Sequence, residues 1–526
     1  MSAASLRLAE PSALDLPLPT SQIARDPRRD TLIFIAVVSV LRLIWSAVME
    51  ATNDEAYHYL YVIHPDWSFF DHPPMVMWVE RLGLLLFGGW VHPLSLRFGF
   101  VVLAAGSTWV LARLTARRYG ESAGFAAALL FNLSGYFAGA GGLVLPDPPM
   151  VFFSLLTIAA LLHAVVDEPD RLRSWILVGL AFAGTLVSKY LAVLIPAGVF
   201  LYLILSPARR YLLLRPGPYV AMLIGMIGFV PVLIWNSQHD WASFRFQGGR
   251  AAAIEINWVG PFSFVVGPAL ILFPWIWFRL VAPLASGIRR FGSLPEADRL
   301  LICLAIVPLA VFLPISLLRP ILPHWTLLAF VPLYPLAGAA WAAKGAANPE
   351  GFRRKVVVMS AATIGILLFV LVQARFGLLT FGNDDPIKEA SGWESLGQQL
   401  KERGLVGKPK TYLLANRWHK AGQLAFAIRN ESPVVCYEPT DARGFALWSK
   451  PSDWVGWDAY LVSLDGRDEE LNHFKWYFES YDETPVAEFR MMRGWMPYRP
   501  VKVWHLRRMT RPFPFGNGDP EGRPVE

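Results

Sequence analysis

Cysteine is nearly absent. Of 526 residues only Cys303 and Cys436 carry a thiol, the first within an apolar run and the second in the expected soluble tail. Neither has a second Cys or a His at ligand spacing, so a disulfide framework and a thiolate metal site are both excluded as organising features. Charge is scarce too: Asp, Glu, Lys and Arg make up 17% of the chain, against about 25% in an ordinary soluble domain. The sequence has no G-x-x-x-x-G-K-S/T loop, no G-x-G-x-x-G after a strand and no H-E-x-x-H helix, which argues against an ATPase or a zinc protease. No internal repeat is present.

Apolar residues fill the space that charge leaves. Hydrophobic residues reach 54% and aromatics 13%, with 21 Trp, a composition suited to lipid as solvent and to helix ends at membrane interfaces. The net charge of +7 could suggest nucleic acid. In a membrane chain, basic residues collect in inner loops, so the excess reports topology and no nucleic-acid partner is expected.

About eleven runs are long and apolar enough to cross a bilayer. They lie near 31–49, 94–112, 121–138, 149–166, 174–188, 191–206, 219–235, 260–279, 300–318, 325–343 and 355–374. The run from Leu32 to Val48 is long for a cleaved signal and reads as a retained first helix. With the N-terminus inside, Arg113, Arg117, Arg118, Arg171, Arg173, Arg209, Arg210, Arg215, Arg289, Arg290, Arg353, Arg354 and Lys355 all fall in inner loops. The opposite loops hold fewer cations: Arg81, Arg97, Lys189, Arg245, Arg250 and Arg319. The asymmetry predicts a multi-pass inner-membrane protein, N-terminus cytoplasmic and C-terminal region periplasmic.

The expected organisation is therefore a mainly α, polytopic membrane protein. A cytoplasmic tail (1–30) precedes a transmembrane domain (31–375) whose first periplasmic loop spans 50–93. Within that loop, Asp54–Ile63 and Met75–Phe87 carry apolar residues at helical spacing, as interfacial helices do, joined by a Pro-stiffened connector. A small periplasmic α/β domain (376–510) follows, with a helical stretch at Gln423–Ile428 and strand-like runs at Thr411–Leu414, Pro433–Tyr437 and Ala459–Ser463. The Pro-, Gly- and Arg-rich end (511–526) is expected to be disordered.

Charge inside a bilayer is costly, so its placement is informative. Asp54 and Glu55, Asp71 and His72, Asp147, Lys189, Arg245 and Arg250, and His324 all fall at the outer ends of expected spans. Their gathering at one outer pocket is an expectation from chemistry. A carboxylate can take the proton of an incoming hydroxyl or amine, and cations can hold a phosphate diester and the charge that develops as it departs. The set suits glycosyl transfer from a phosphate-linked lipid. Asp54 and His58, four residues apart, can share a helix face and could hold a divalent metal, though two ligands are a weak signal.

Asn53-Asp-Glu-Ala-Tyr-His-Tyr59 and Phe70-Asp-His-Pro-Pro74 resemble the bacterial branch of the dolichyl-phosphate-mannose protein mannosyltransferase-like glycosyltransferases, of GT-C fold. Lipid A aminoarabinose and galacturonosyl transferases are relatives of this branch. Leu145-Pro-Asp-Pro148, Ser188-Lys-Tyr190, Trp241-Ala-Ser-Phe-Arg-Phe-Gln247, Pro323-His-Trp325, Ala415-Asn-Arg-Trp418 and Leu424-Ala-Phe426 extend the likeness across most of residues 31–465. The resemblance implies inverting transfer from a polyprenyl-phosphate sugar to a cell-envelope acceptor, which is lipid A or core, another glycan, a lipid or a protein. It places the general base at Asp54, with Glu55 beside it and Asp147 shaping the acceptor or sugar site. It adds Tyr57, Asp71, His72, Lys189, Tyr190, Arg245, Arg250 and His324 as substrate-binding candidates. The aminoarabinose enzyme has an acidic-Lys-Pro motif in place of Asp71-His72-Pro73, its Lys on the carrier phosphate and its acid near a metal. Here His replaces that Lys, which leaves the phosphate to Lys189 or Arg250. A polyprenyl-sugar flippase and a non-catalytic envelope-assembly protein are the alternative classes. The first requires charges along a path through the bilayer or helices broken at mid-depth in both halves.

Overall fold

The computed structural model describes residues 26–252, 256–319, 321–379, 388–439, 441–465 and 469–515. The tail expected at 1–30 lies outside these residues except for its end, where a helix already starts at Pro27. The chain divides into two compact units.

The first unit comprises the described residues of Met1–Arg42, Phe100–Gly142 and Pro146–Gly365, and it is helical. Each expected span falls on a helix or a bent helix pair. Among the described residues, seven helices are long and apolar enough to cross a membrane. Two further apolar helices, Leu172–Leu186 and Tyr190–Leu205, are shorter. The runs expected at 121–138 and 260–279 are not straight spans. Glu121–Asn132 meets Gly135–Gly142 at 81°, and Gly260–Ile271 meets Pro274–Arg289 at 116°. At the second break Phe273 adopts φ +65° and Pro274 starts the next helix, where a missing N–H costs nothing and the ring fixes φ. Small residues bring helix backbones together: a Cβ on Gly338 would lie 2.7 Å from the methyl of Ala127, the close approach that polar-poor membrane helices depend on.

The second unit comprises Leu43–Gly99, Leu143–Leu145 and the described residues of Ile366–Glu526. The first expected outer loop thus folds with the C-terminal region. Helices Asn53–Ile63 and Met75–Leu86 form as the periodicity predicts. The three strand-like runs appear as β1 (Thr411–Ala415), β2 (Val434–Cys436) and β3 (Asp458–Leu464). Three more strands complete the sheet: β4 (Phe478–Tyr481), β5 (Ala487–Arg493) and β6 (Met496–Met509). The order is β2-β1-β3-β6-β4, with β5 also on β6. β1 runs parallel to β2 and β3, and β6 runs antiparallel to β3, β4 and β5.

The expectation of disorder from 511 onward needs correction for 511–515. Phe513 is buried and stacks on Tyr437, ring centroids 4.7 Å apart, so burial of an aromatic ring holds this segment against the sheet. Residues 516–526 lie outside the described part.

One core of this unit joins Tyr57, Leu60 and Tyr61 of the first-loop helix to Trp393, Leu413, Leu424 and Val503. Helix Trp418–Ala427 lies directly on helix Asn53–Ile63, because Gly422 faces the Tyr57 backbone. A Cβ there would come within 3.1 Å of the Tyr57 Cα. Glu50 fixes a second junction by accepting the N–H groups of Gly392 (3.2 Å), Trp393 (2.9 Å) and Glu394 (3.3 Å). An anion at the start of helix Trp393–Glu402 meets both the unsatisfied donors and the positive end of the dipole.

Candidate functional site

In the second unit the chemistry starts from helix Asn53–Ile63. Thr52 and Glu55 form a capping box, in which the Thr52 N–H donates to Glu55 Oε2 at 2.9 Å. The same carboxylate receives Arg97 Nε at 2.6 Å and Nη2 at 2.7 Å, and the Val144 N–H at 3.0 Å. Both side chains of the Glu55–Arg97 pair are 1% exposed. Burial pushes the Glu55 carboxyl up, but Arg97 and the backbone donors outweigh it and hold the group below its ordinary value. Arg97 also donates to the carbonyls of Ser46, Met49 and Glu50. Glu55 is thus a buried strut with both carboxylate oxygens fully hydrogen-bonded. The catalytic role expected of it is not supported by this placement: its lone pairs are occupied and no substrate proton can reach them.

Asp54, one residue earlier, is exposed. Among Asp54, Glu55 and Asp71 it is the carboxylate open to a reactant. It lies within electrostatic reach of Arg443.

Asp71 is buried and collects a network. Arg443 Nη1 donates to its Oδ2 at 3.2 Å, the Tyr57 hydroxyl to Oδ1 at 3.3 Å, and the Tyr61 hydroxyl to the same oxygen. Burial raises its pKa, while His72, Arg443 and the Tyr61 hydroxyl lower it, leaving it below the usual carboxylate value. The Tyr57 hydroxyl in turn accepts the Gly444 N–H at 3.0 Å. Arg443 lies flat on Trp418, 3.6 Å from the ring centroid, which pairs a weakly hydrated planar cation with an aromatic face. Arg443 itself has φ +49°, a conformation that L side chains occupy at a cost.

His58 and His72 are neighbours, ring centroids 5.6 Å apart. His58 Nδ1 donates to the Val144 carbonyl at 2.9 Å, which fixes its tautomer. Of the expected Asp54–His58 metal pair, Asp54 is exposed and His58 is buried with Nδ1 committed to the Val144 carbonyl. Among the described residues, no three His, Cys, Asp or Glu side chains come together to hold an ion.

In the first unit a second centre forms around Asp147, which opens helix Asp147–Leu162 ahead of Pro148 and Pro149. Lys189, on the short stretch between helix Leu172–Leu186 and Tyr190–Val193, puts Nζ 2.7 Å from Asp147 Oδ1. Both side chains are below 10% exposed. Tyr190 packs edge-on against Phe229 and Phe244. His324 stacks on Tyr136, centroids 6.4 Å apart at 16°. Arg42 donates to the Phe137 carbonyl at 2.7 Å. Arg245 is exposed on helix Ala242–Ala252. The side chain of Arg250 lies outside the described residues.

The structure brings Tyr57, Asp71, His58 and His72 together in one unit, and Asp147 with Lys189 in the other. Sequence reasoning misses Arg443, Trp418, Tyr61 and the part played by Arg97. A signal existed for Arg97: one cation inside an apolar run requires a buried anion, although the sequence does not say which carboxylate supplies it.

Residues 71–235 match the family model described as dolichyl-phosphate-mannose-protein mannosyltransferase. Over 326 residues the chain is 30% identical to the undecaprenyl phosphate-alpha-4-amino-4-deoxy-L-arabinose arabinosyl transferase of Pseudomonas savastanoi pv. phaseolicola, 58% of each chain. It is 23% identical to the lipid A galacturonosyltransferase of Rhizobium johnstonii over 474 residues, 86% of this chain and 92% of that one. The match spans only 50% to 58% of the length of these aminoarabinose transferases. Among solved structures, ArnT from Cupriavidus metallidurans bound to undecaprenyl phosphate superposes with a TM-score of 0.62 at 16% identity, covering 90% of this chain and 97% of that one. This chain is a multi-pass membrane protein of GT-C-like fold, related in sequence to the dolichyl-phosphate-mannose-protein mannosyltransferase kind of transferase.

Proposed function

We propose that the chain is an inverting membrane glycosyltransferase that moves a sugar from a polyprenyl-phosphate donor to a cell-envelope acceptor at the periplasmic face. The observation that carries this reading is the contrast on helix Asn53–Ile63: Glu55 and the network around Asp71 are buried and occupied, while Asp54 stands exposed beside the Arg443 field. The relatives' names supply the donor class. One acts with undecaprenyl phosphate and another on lipid A.

The reaction follows from these groups. The acceptor hydroxyl or amine attacks the anomeric carbon opposite the phosphate. The new bond forms as the carbon–oxygen bond to phosphate breaks, and the bonding electrons leave on the phosphate oxygen. Asp54 takes the acceptor's proton as general base. Asp71 keeps Arg443, Tyr57 and Tyr61 in place. In the first unit, Lys189 beside Asp147 is the candidate cation for a departing phosphate, and Arg245, Tyr190 and His324 are separate donor-binding candidates. His72 stands where the aminoarabinose motif has Lys and helps to orient the donor beside Asp71.

The experiment is mass spectrometry of envelope lipids and glycans from cells with the wild-type chain, without it, and with Asp54→Asn. A sugar-bearing product should be present only with the wild type. An unchanged product profile in the Asp54→Asn strain would remove Asp54 from the mechanism, and an unchanged profile without the chain would remove the activity.

A further inference from the structure

The proposed reaction leaves one large cleft of the first unit without a task. It encloses about 500 Å³ between helix Pro274–Arg289 from Phe278 onward, helix Tyr334–Ala347 from Ala337 onward, and the first turns of Pro349–Phe376. Four cations line it: Arg279, Arg290, Lys344 and Lys355. No Asp or Glu does. Like charges around one concavity disfavour one another unless an anion enters.

The floor is apolar and built to hold its shape. Trp341 is buried and packs on Phe352, ring centroids 4.7 Å apart. The Arg279 guanidinium lies 5.6 Å over the same indole and donates to the Trp275 carbonyl, so this cation is oriented in advance. Lys344 and Lys355 are exposed, their ammonium groups able to close over whatever enters. Cations at the rim and aromatic rings below match a ligand with a phosphate at one end and hydrocarbon at the other. The cleft also lies at helix ends that the arginine asymmetry assigns to the inner side of the bilayer, where anionic lipid concentrates.

We propose that this cleft binds the phosphate headgroup of an anionic membrane lipid, with Arg279, Lys344 and Lys355 on the phosphate and Trp341 and Phe352 against the adjoining apolar part. A basic pocket between membrane helices on the inner side is the arrangement such headgroups favour. The site is separate from the residues assigned to sugar transfer, so occupancy and chemistry can be tested apart.

The test uses the full chain, reconstituted in phosphatidylcholine discs with or without cardiolipin or phosphatidylglycerol and released for native mass spectrometry. Wild type should retain the anionic lipid and not phosphatidylcholine. Lys344→Gln with Lys355→Gln should weaken retention by roughly fivefold for each lysine removed. Lys344→Arg with Lys355→Arg should restore it. Size-exclusion and lipid-free melting profiles establish that both double variants fold. A parallel melting series with inorganic pyrophosphate separates the sources. Stabilisation by lipid beyond that by pyrophosphate supports the headgroup, whereas stabilisation by pyrophosphate with no lipid retained overturns the lipid assignment. Equal retention of zwitterionic and anionic lipid, or equal retention by wild type and the glutamine variant, also overturns it.

Discussion

Two buried ion pairs, one in each unit, are made from similar charges and differ in kind. Glu55 meets a guanidinium fork at 2.6 and 2.7 Å and takes two backbone N–H groups besides. Asp147 meets a primary ammonium at 2.7 Å. A bidentate fork with every lone pair occupied has one geometry. An ammonium is a compact point charge on a flexible stem that can exchange one oxyanion for another. The first pair is therefore read as a fastener for the 43–99 segment, and the second as a cation held ready.

The comparison can be broken by substitution. The largest effect belongs to the exposed carboxylate beside the fastener. Asp54→Asn should lower kcat/KM by about 10²- to 10⁴-fold, the range for losing a general base, with an unchanged melting profile. Glu55→Gln should do the reverse, costing stability first and activity only as folded protein is lost.

Next comes Arg97→Ala, which strands a buried carboxylate and should destabilise the second unit by about 3–5 kcal/mol. Folded yield and melting in detergent measure it. Arg97→Ala with Glu55→Leu should recover part of that loss, because no lone buried charge remains. A smaller effect is expected at the exchangeable pair. Lys189→Gln should lower kcat/KM by about tenfold or more through the phosphate while moving the melting profile less than Arg97→Ala. If the two substitutions destabilise equally, Lys189 is a second fastener.

The smallest effect is a pH dependence at Glu80. This carboxyl is fully buried, and burial, with the neighbouring Glu55 charge, pushes it well above its ordinary value. A raised folded-state pKa means the folded chain binds the proton more tightly than the unfolded one. Its contribution is complete below the unfolded carboxylate value and declines as pH rises toward the folded value. Glu80→Gln should therefore flatten the fall in melting temperature over that alkaline-going window. A wild-type curve already flat there would exclude the effect.

The local parts of this architecture were legible because they leave a period. Apolar runs announced the membrane helices, and the 3.6-residue pattern of Asp54–Ile63 announced the first-loop helix. Long-range pairs leave none: Arg443 reaches Asp71 across 372 positions, and nothing in either neighbourhood names the other. β6 was hidden for a different reason. Val501 and Val503 alternate inward, but Pro497 and Pro500 argue against a strand. The structure accommodates them where β6 pairs β5, with a register shift between Arg490 and Met492 opposite that segment. The bend at Phe273 needed a positive φ that a bulky aromatic seldom adopts.

The most direct measurement follows the donor itself. Reconstituted chain is given a polyprenyl-phosphate sugar and an envelope acceptor, and donor binding, carrier phosphate release and glycosylated product are each quantified. For wild type, carrier phosphate and product should appear in equal amounts. For Asp54→Asn, donor should still bind while both products vanish together. Turnover by Asp54→Asn at the wild-type rate would contradict the assignment of the exposed carboxylate as base.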